Sequence, residues 1–246
     1  MMNVIRSEWT KIRSVRSTVW TLATTVLLML GLGILISIAT VTNAKGPIAP
    51  VSAAGNALSG IQFATVALAA LGVIVISSEY RTGAIRVSLM AVPERLKLLT
   101  AKIVVFTALT LVVSLVTVTV TVTVGQLIMK VTPFSGDGVP MMVVGAALFL
   151  TACGLFGLAL GTLIRHTPGA IVSAIALMLI VPGLMSALPG VWGETISDYV
   201  TTNAGMQIFV QRENISLGPW AGYGVYLAWV AVVMIAGAVL LRRRDA

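Results

Sequence analysis

Two long apolar runs flank SEYRTGAIRVSLMAVPERLK, residues 78–97 of the 246-residue chain. The first run extends from Ala57 to Ile76, and the second from Ile103 to Met129. The stretch between them holds two acids, four bases, a glycine and a proline. A charged island between two apolar runs of membrane-spanning length predicts a loop at a membrane surface. We expect this loop to receive a signal or a force from another protein and to pass it to the membrane helices.

The composition excludes a soluble globular protein. Hydrophobic residues make up 58% of the chain and charged residues only 10%, whereas a soluble domain is roughly 45–50% apolar and about 25% charged. At about 20 residues per membrane span, the chain has room for six spans and short loops. The sequence therefore predicts an all-α polytopic membrane protein, with residues 1–246 forming one transmembrane domain.

The predicted spans are separated by short polar or turn-forming segments. They cover about 18–41, 57–77, 98–129, 140–164, 169–188 and 220–241. The third contains alternating Val and Thr from Val116 to Val124, a pattern that normally indicates a strand. A lone strand in lipid would leave its backbone unpaired, so we predict a helix with Thr hydroxyls bonded to the preceding turn. Pro182 and Gly183 should kink or break the fifth span.

Residues 3–17 have an amphipathic pattern. Val4, Ile5, Trp9 and Ile12 fall on one side of a helical wheel, and Glu8 interrupts the pattern. This predicts an interfacial helix, anchored in the headgroup region by Arg6, Trp9, Lys11 and Arg13. The alternatives are a basic flank of the first span and a cleaved signal peptide, and the latter is disfavoured because its apolar core would be too long.

Two further segments are expected to shape the ends of the spans. Residues 189–219 are too polar to span, and we expect them to lie at the outer interface or to re-enter it. In the turn before the fifth span, Thr167 is predicted as the N-cap and Pro168 as the first helical residue. Gly157 and Gly161 form a small-residue pair that favours close helix packing within the chain.

The distribution of basic residues predicts the orientation. With both termini inside, all but three of the 16 bases lie on the cytoplasmic side, and the exceptions are Lys45, Lys130 and Arg212. This satisfies the positive-inside rule, and the inverted arrangement would violate it. The net charge of +8 therefore reflects topology and anionic lipid, and we do not expect a nucleic-acid partner.

The sequence contains few groups suited to catalysis or ion coupling. Cys153 is the single cysteine, His166 is the single histidine, and the centres of the spans hold no acid, lysine or arginine. An intramembrane enzyme would have to use Cys153 or His166, which is a poor basis for catalysis. We expect no catalytic, cofactor or metal site. The chain also lacks a phosphate-binding GxxxxGK[ST] motif, so a pump built on it would take its energy from a partner.

Three stretches give the chain a resemblance to a known family. These are IRSEWTKIRS at residues 5–14, EYRTGAIR at residues 79–86 followed by PER at 93–95, and NAG at 203–205. Together they resemble permease subunits of the type-2 ABC exporters, in particular short bacterial members of the actinobacterial kind. The resemblance covers essentially the whole chain, and the second stretch is its most specific part.

The resemblance implies an export permease in the bacterial plasma membrane, with both termini cytoplasmic. Two permeases, identical or siblings, would pair with two separate ATPases that carry ATP and magnesium. Within the loop 79–97 a coupling helix would contact the ATPase, through residues Glu79, Tyr80, Arg81, Gly83, Arg86 and Leu89. The uncharged spans favour a hydrophobic or amphipathic cargo. The alternative is a scaffold, sensor or immunity subunit that uses the same loop without transport.

Overall fold

The computed structural model describes residues 2–84, 90, 94–187, 189–210 and 217–243. Within these residues all regular secondary structure is helical. The α-helices are α1 (Met2–Ser14), α2 (Arg16–Asn43), α3 (Pro50–Ala57), α4 (Ile61–Thr82), α5 (Arg95–Ile128), α6 (Val139–Ile164), α7 (Thr167–Ile175), α8 (Val181–Ser186), α9 (Val191–Tyr199), α10 (Thr201–Met206) and α11 (Pro219–Arg243).

Six helical stretches are long and apolar enough to cross a membrane. Four of them are the single helices α2, α5, α6 and α11. The other two are composite: α3 and α4 form one rod from Pro50 to Thr82, and α7 and α8 form another from Thr167 to Ser186. These six stretches confirm the predicted all-α polytopic membrane fold.

The second span begins earlier than the sequence indicated. Residues 50–56, expected to belong to a polar loop, are helical and run through the 3-10 turn Leu58–Gly60 into α4. Pro50 suits this start because its ring fixes the backbone angle that a first helical turn needs. Ala53 and Ala57 are fully buried, so tertiary packing of small side chains extends the helix beyond its apolar core.

Helix α6 forms the centre of the bundle, and most of its side chains are buried. It lies so close to α4 that a Cβ on Gly157 would be 2.0 Å from the Ala69 carbonyl oxygen. A Cβ on Gly161 would similarly lie 2.5 Å from a methyl group of Ile76. The predicted use of these glycines for packing within the chain is confirmed.

The alternating Val and Thr residues lie in α5, and the helix prediction is confirmed. Thr117 donates to the carbonyl of Val113 at 2.7 Å, and Thr121 donates to the carbonyl of Thr117 at 2.8 Å. Each hydroxyl is thereby satisfied inside its own helix. The hydroxyls that bond back in this way need no partner from a neighbouring strand.

The fifth span is interrupted by a π-helical segment, Ala176–Ile180, just before Pro182. A proline has no N–H to donate, so the carbonyls one turn before it lose a partner. Two hydroxyls from α10 replace the missing donor: Thr201 donates to the Leu177 carbonyl, and Thr202 to that of Met178, each at 2.7 Å. The predicted interruption is thus a local widening of the helix, and threonine hydroxyls of α10 bond the carbonyls that it frees.

Helices α9 and α10 occupy part of the segment that was predicted to be re-entrant or interfacial. Helix α10 packs against α11, and a Cβ on Gly205 would lie 2.6 Å from the Tyr226 ring. Asn203 donates to the hydroxyl of Ser197 at 2.8 Å, and Ser197 also pairs with Ser186 at 2.8 Å. These contacts attach the segment to the ends of the fifth and sixth spans.

The N-cap prediction before the fifth span is wrong by one residue. His166 is the N-cap of α7, and its Nδ1 accepts a hydrogen bond from the Gly169 backbone N–H at 3.2 Å. Thr167 is already helical, and its hydroxyl donates instead to the Ser77 hydroxyl at 2.8 Å. A tertiary contact therefore takes the side chain that local sequence rules assign to capping.

We predict that replacing Thr202 with Val will destabilise the fold by about 1–3 kcal/mol, because the Met178 carbonyl loses its donor. In a Pro182→Ala background the backbone N–H returns, and the same replacement should cost less. Reversible unfolding in mixed micelles measures both effects. Equal costs in the two backgrounds would show that Thr202 does not compensate for the proline.

Candidate functional site

Four charged side chains meet where α1, α4 and α5 come together. The Lys102 ammonium lies 2.5 Å from Glu8 Oε2 and 2.8 Å from Glu79 Oε1. Lys11 completes the group, 2.7 Å from Glu8 Oε1 and 3.3 Å from Glu79 Oε1. We refer to Glu8, Lys11, Glu79 and Lys102 as the ion cluster. It has two positive and two negative charges, so it is neutral as a whole.

The ion cluster is buried to a degree that is unusual for charged residues. Glu8 is 0% exposed and Lys102 is 1% exposed, while Glu79 is 8% exposed. Charges removed from water are stable only when they are paired and hydrogen-bonded. Each lysine reaches both carboxylates, so the pairing meets this requirement for the buried ammonium of Lys102. The second oxygen of Glu79, Oε2, is buried without a hydrogen-bond partner.

The pKa shifts of the α1 residues reflect this pairing. Burial alone would raise the pKa of Glu8, but the ammonium groups of Lys102 and Lys11 outweigh it and hold that pKa below its usual value. Burial would lower the pKa of Lys11, but the carboxylates of Glu8 and Glu79 outweigh it and raise that pKa. Both residues are therefore kept in their charged forms near neutral pH.

Helical geometry brings the cluster together. Ile5, Glu8 and Ile12 recur at a spacing that places them on one face of α1, and this face packs on the bundle. Glu79 lies near the end of α4, and Lys102 lies two turns after the start of α5. The long side chains of Glu79 and Lys102 bring the ends of α4 and α5 into contact, and α1 closes the site.

The predicted partner-coupling residues fall on different parts of α4. Glu79 faces the ion cluster, whereas the Tyr80 ring lies under the Arg165 guanidinium, 5.1 Å from it. Arg81 is exposed. Gly83 ends the helix with a φ of 71°, a left-handed conformation that favours glycine. Residues 79–82 thus continue the second span instead of opening a separate helix. Arg86 and Leu89 lie outside the described residues.

The predicted interfacial anchors also separate. Arg6 and Arg13 are exposed, and Trp9 is 46% exposed, so these three side chains are free to meet a membrane surface. Lys11 is half-buried in the ion cluster. The α1 helix is therefore attached to the bundle on one side and exposed on the other.

Two arginines hold the end of the sixth span at the same level. Arg95 donates to the Leu241 carbonyl at 2.9 Å, and Arg165 donates to the Leu240 carbonyl at 3.0 Å. The last carbonyls of a helix have no partner within it and carry partial negative charge, so guanidinium groups stabilise them. Arg95 at the start of α5 and Arg165 in the turn before α7 thus fix the end of α11.

Sequence reasoning missed Glu8 and Lys102 as members of a site. Glu8 looked like an interruption of an amphipathic pattern, and Lys102 like one more base beside a span. An acid on the apolar face of α1 was the available signal, because it requires a buried cation as a partner. The sequence could not identify that cation among nearby bases.

The charged groups of the ion cluster are paired with one another. Among the described residues, no three His, Cys, Asp or Glu side chains are grouped to hold a metal ion. Cys153 is buried and accepts a hydrogen bond from the Tyr226 hydroxyl at 3.4 Å. The cluster connects α1 to the second and third spans.

A bundle of six helical stretches long and apolar enough to cross a membrane defines a multi-pass membrane protein. Among curated proteins, no relative matches the chain significantly. The family described as ABC-2 family transporter protein matches residues 4–183. The chain therefore belongs to the ABC-2 transporter family, whose members are the membrane component of ABC transporters and are not themselves catalytic.

We predict that Lys102→Met will destabilise the fold by about 3–5 kcal/mol, since Glu8 and Glu79 would remain buried with Lys11 alone. Lys97→Met is the matched control. Lys97 pairs with Glu94 at 2.5 Å, but both side chains are more than half exposed, so its loss should cost at most about 1 kcal/mol. Unfolding in mixed micelles measures the two costs, and similar values would show that the ion cluster does not stabilise the bundle.

Proposed function

We propose that the chain is the permease of an ATP-driven exporter, working with a separate ATPase that binds ATP and magnesium. The observation that carries this proposal is the ion cluster. It joins α1, α4 and α5 at the end of the bundle where the chain leaves α4 toward residues 85–89. A push on that loop would act on α4, and the buried charges would pass it to α1 and α5 together.

This coupling role is divided among the six proposed residues. Glu79 transmits the movement, because its carboxylate is bonded to the lysines of α1 and α5. Tyr80 and Arg81 continue α4 to its end, and Gly83 sets the direction in which the chain leaves the helix. Arg86 and Leu89 follow Gly83 in the loop and are proposed to contact the ATPase. We place this loop and both termini in the cytoplasm of a bacterial cell, in line with the distribution of basic residues.

An open cleft at the far end of α4 supports a translocation path along this helix. It has a volume of about 640 Å³. Four polar side chains at helical spacing form one wall, and the opposite wall is apolar, with lining residues that include Ser52, Asn56, Ser59, Gln62, Met142, Met206 and Phe209. Polar side chains facing lipid are costly. The four polar side chains therefore favour a position on a path between two copies of the permease. The mixed lining favours a cargo with both polar and apolar parts.

The depth of Gln62 strengthens this argument. Ala57 contacts Gly125 and Glu79 contacts Lys102, so the second and third spans meet at two levels about 34 Å apart at 1.5 Å per residue. This distance is close to the thickness of the hydrocarbon core, roughly 30 Å. Gln62 then lies about 7 Å inside the core, where an amide with no partner needs water or cargo.

The coupling proposal predicts that one variant loses binding to the ATPase and that another loses only the stimulation of ATPase activity. Arg86→Glu should abolish copurification with the proposed ATPase partner. Lys102→Met should leave copurification intact but remove at least about 90% of the cargo-stimulated ATPase activity in vesicles, because the movement no longer reaches α1 and α5. Lys97→Met is the control for both assays. Normal stimulation by a folded Lys102→Met permease would contradict the transmission role, and an ATPase that never copurifies would favour a non-transporting scaffold.

The path proposal predicts that Gln62→Cys will react with a water-soluble maleimide in sealed vesicles. Val112→Cys is the control, because Val112 is 61% exposed in the isolated chain but lies on an apolar face of α5. A thiol in lipid stays protonated and unreactive, so this control should label at least tenfold more slowly. The buried Cys153 gives no background. Equal labelling of the two positions would contradict a water-filled path beside α4.

A further inference from the structure

A second cleft, of about 700 Å³, opens between the end of α4 and the start of α7. Its polar lining includes Tyr80, Arg81, Arg165 and His166, and its apolar lining includes Ile171 and Val172. We propose that this cleft binds one anionic phospholipid, with the headgroup among the four polar side chains and an acyl chain along α7. This site is separate from the ion cluster and from the path beside Gln62.

The cationic part of the cleft is already organised. Arg165 is held by its bond to the Leu240 carbonyl and by the ring of Tyr80. A guanidinium fixed in this way loses little freedom when it binds a phosphate group. Arg81 is exposed and adds a second positive charge, and the lining contains no carboxylate among the described residues. The cleft therefore attracts anions.

Two donors beside the cleft have no protein partner. The Tyr80 hydroxyl and the Arg165 Nε atom are both buried and unbonded in the described chain. Buried donors of this kind are rare, and an unpaired one costs free energy. His166 contributes a third donor, because its Nδ1 accepts from Gly169 and its proton is therefore on Nε2. A phosphate group offers the acceptor oxygens that these donors lack.

The apolar part of the cleft distinguishes a lipid from a soluble anion. Val172 is 65% exposed, and it lies one turn into the fifth span beside Ile171. A free phosphate would leave this surface uncovered, whereas an acyl chain would cover it. The depth also fits, because Thr167 is bonded to Ser77, two residues before Glu79 in the ion cluster. The rim thus lies at the membrane interface, where headgroups are found.

Native mass spectrometry of the purified chain, titrated with phosphatidylglycerol or phosphatidylcholine, tests the proposal without any ATPase. We expect the wild-type chain to retain phosphatidylglycerol preferentially. Tyr80→Phe removes only the unbonded hydroxyl, so it should keep the thermal stability while weakening phosphatidylglycerol retention about fivefold. Arg81→Gln should weaken it about tenfold, since a charge-assisted contact is lost. Arg16→Gln, at an exposed arginine on α2, is the matched control and should change retention less than twofold.

Four results would contradict the proposal. Equal retention of the two lipids would show that the cleft does not select an anion. Equal losses for Arg81→Gln and Arg16→Gln would show diffuse attraction to a positive surface. Displacement of the lipid by millimolar inorganic phosphate would show a site for a soluble anion. If Tyr80→Phe retains the lipid as the wild type does, the hydroxyl does not contact the headgroup and the proposed geometry is wrong.

Discussion

The pairing of Lys102 with Glu8 and Glu79 is the constraint on which the arrangement of α1 depends. A lysine this deeply buried is stable only with its carboxylates in place, and one of them lies on a helix outside the bundle. Helix α1 therefore cannot separate from the bundle without exposing or unpairing a charge. This makes α1, α4 and α5 a single mechanical unit at one end of the molecule.

Close packing of the spans gives this unit a rigid support. Helix α6 is in backbone contact with α4 through Gly157 and Ala69, so α4 has little freedom to tilt independently. Arg95 and Arg165 attach the end of α11 to the same level. A displacement at the end of α4 would consequently move several spans together.

Much of the fold could be predicted from the sequence because lipid leaves few alternatives. Long apolar runs had to be helices, and this argument correctly overruled the strand-like pattern of Val116 to Val124. Predictions failed where a distant residue decided the local structure. The Ser77 hydroxyl draws Thr167 away from capping, and burial extends the second span back to Pro50. Such contacts join residues far apart in sequence and leave no local pattern.

The candidate site, like the fold, could be predicted from the sequence only in part. The stretch around Glu79 was recognisable as charged and interfacial, but its partners on α1 and α5 were not, because charge alone does not identify which base pairs with which acid. The structure also separates neighbours that the sequence groups together: Glu79 faces the ion cluster, whereas Tyr80 and Arg81 border the second cleft. Opposite faces of one helix end therefore border two different environments, the buried ion cluster and an open cleft lined by arginine.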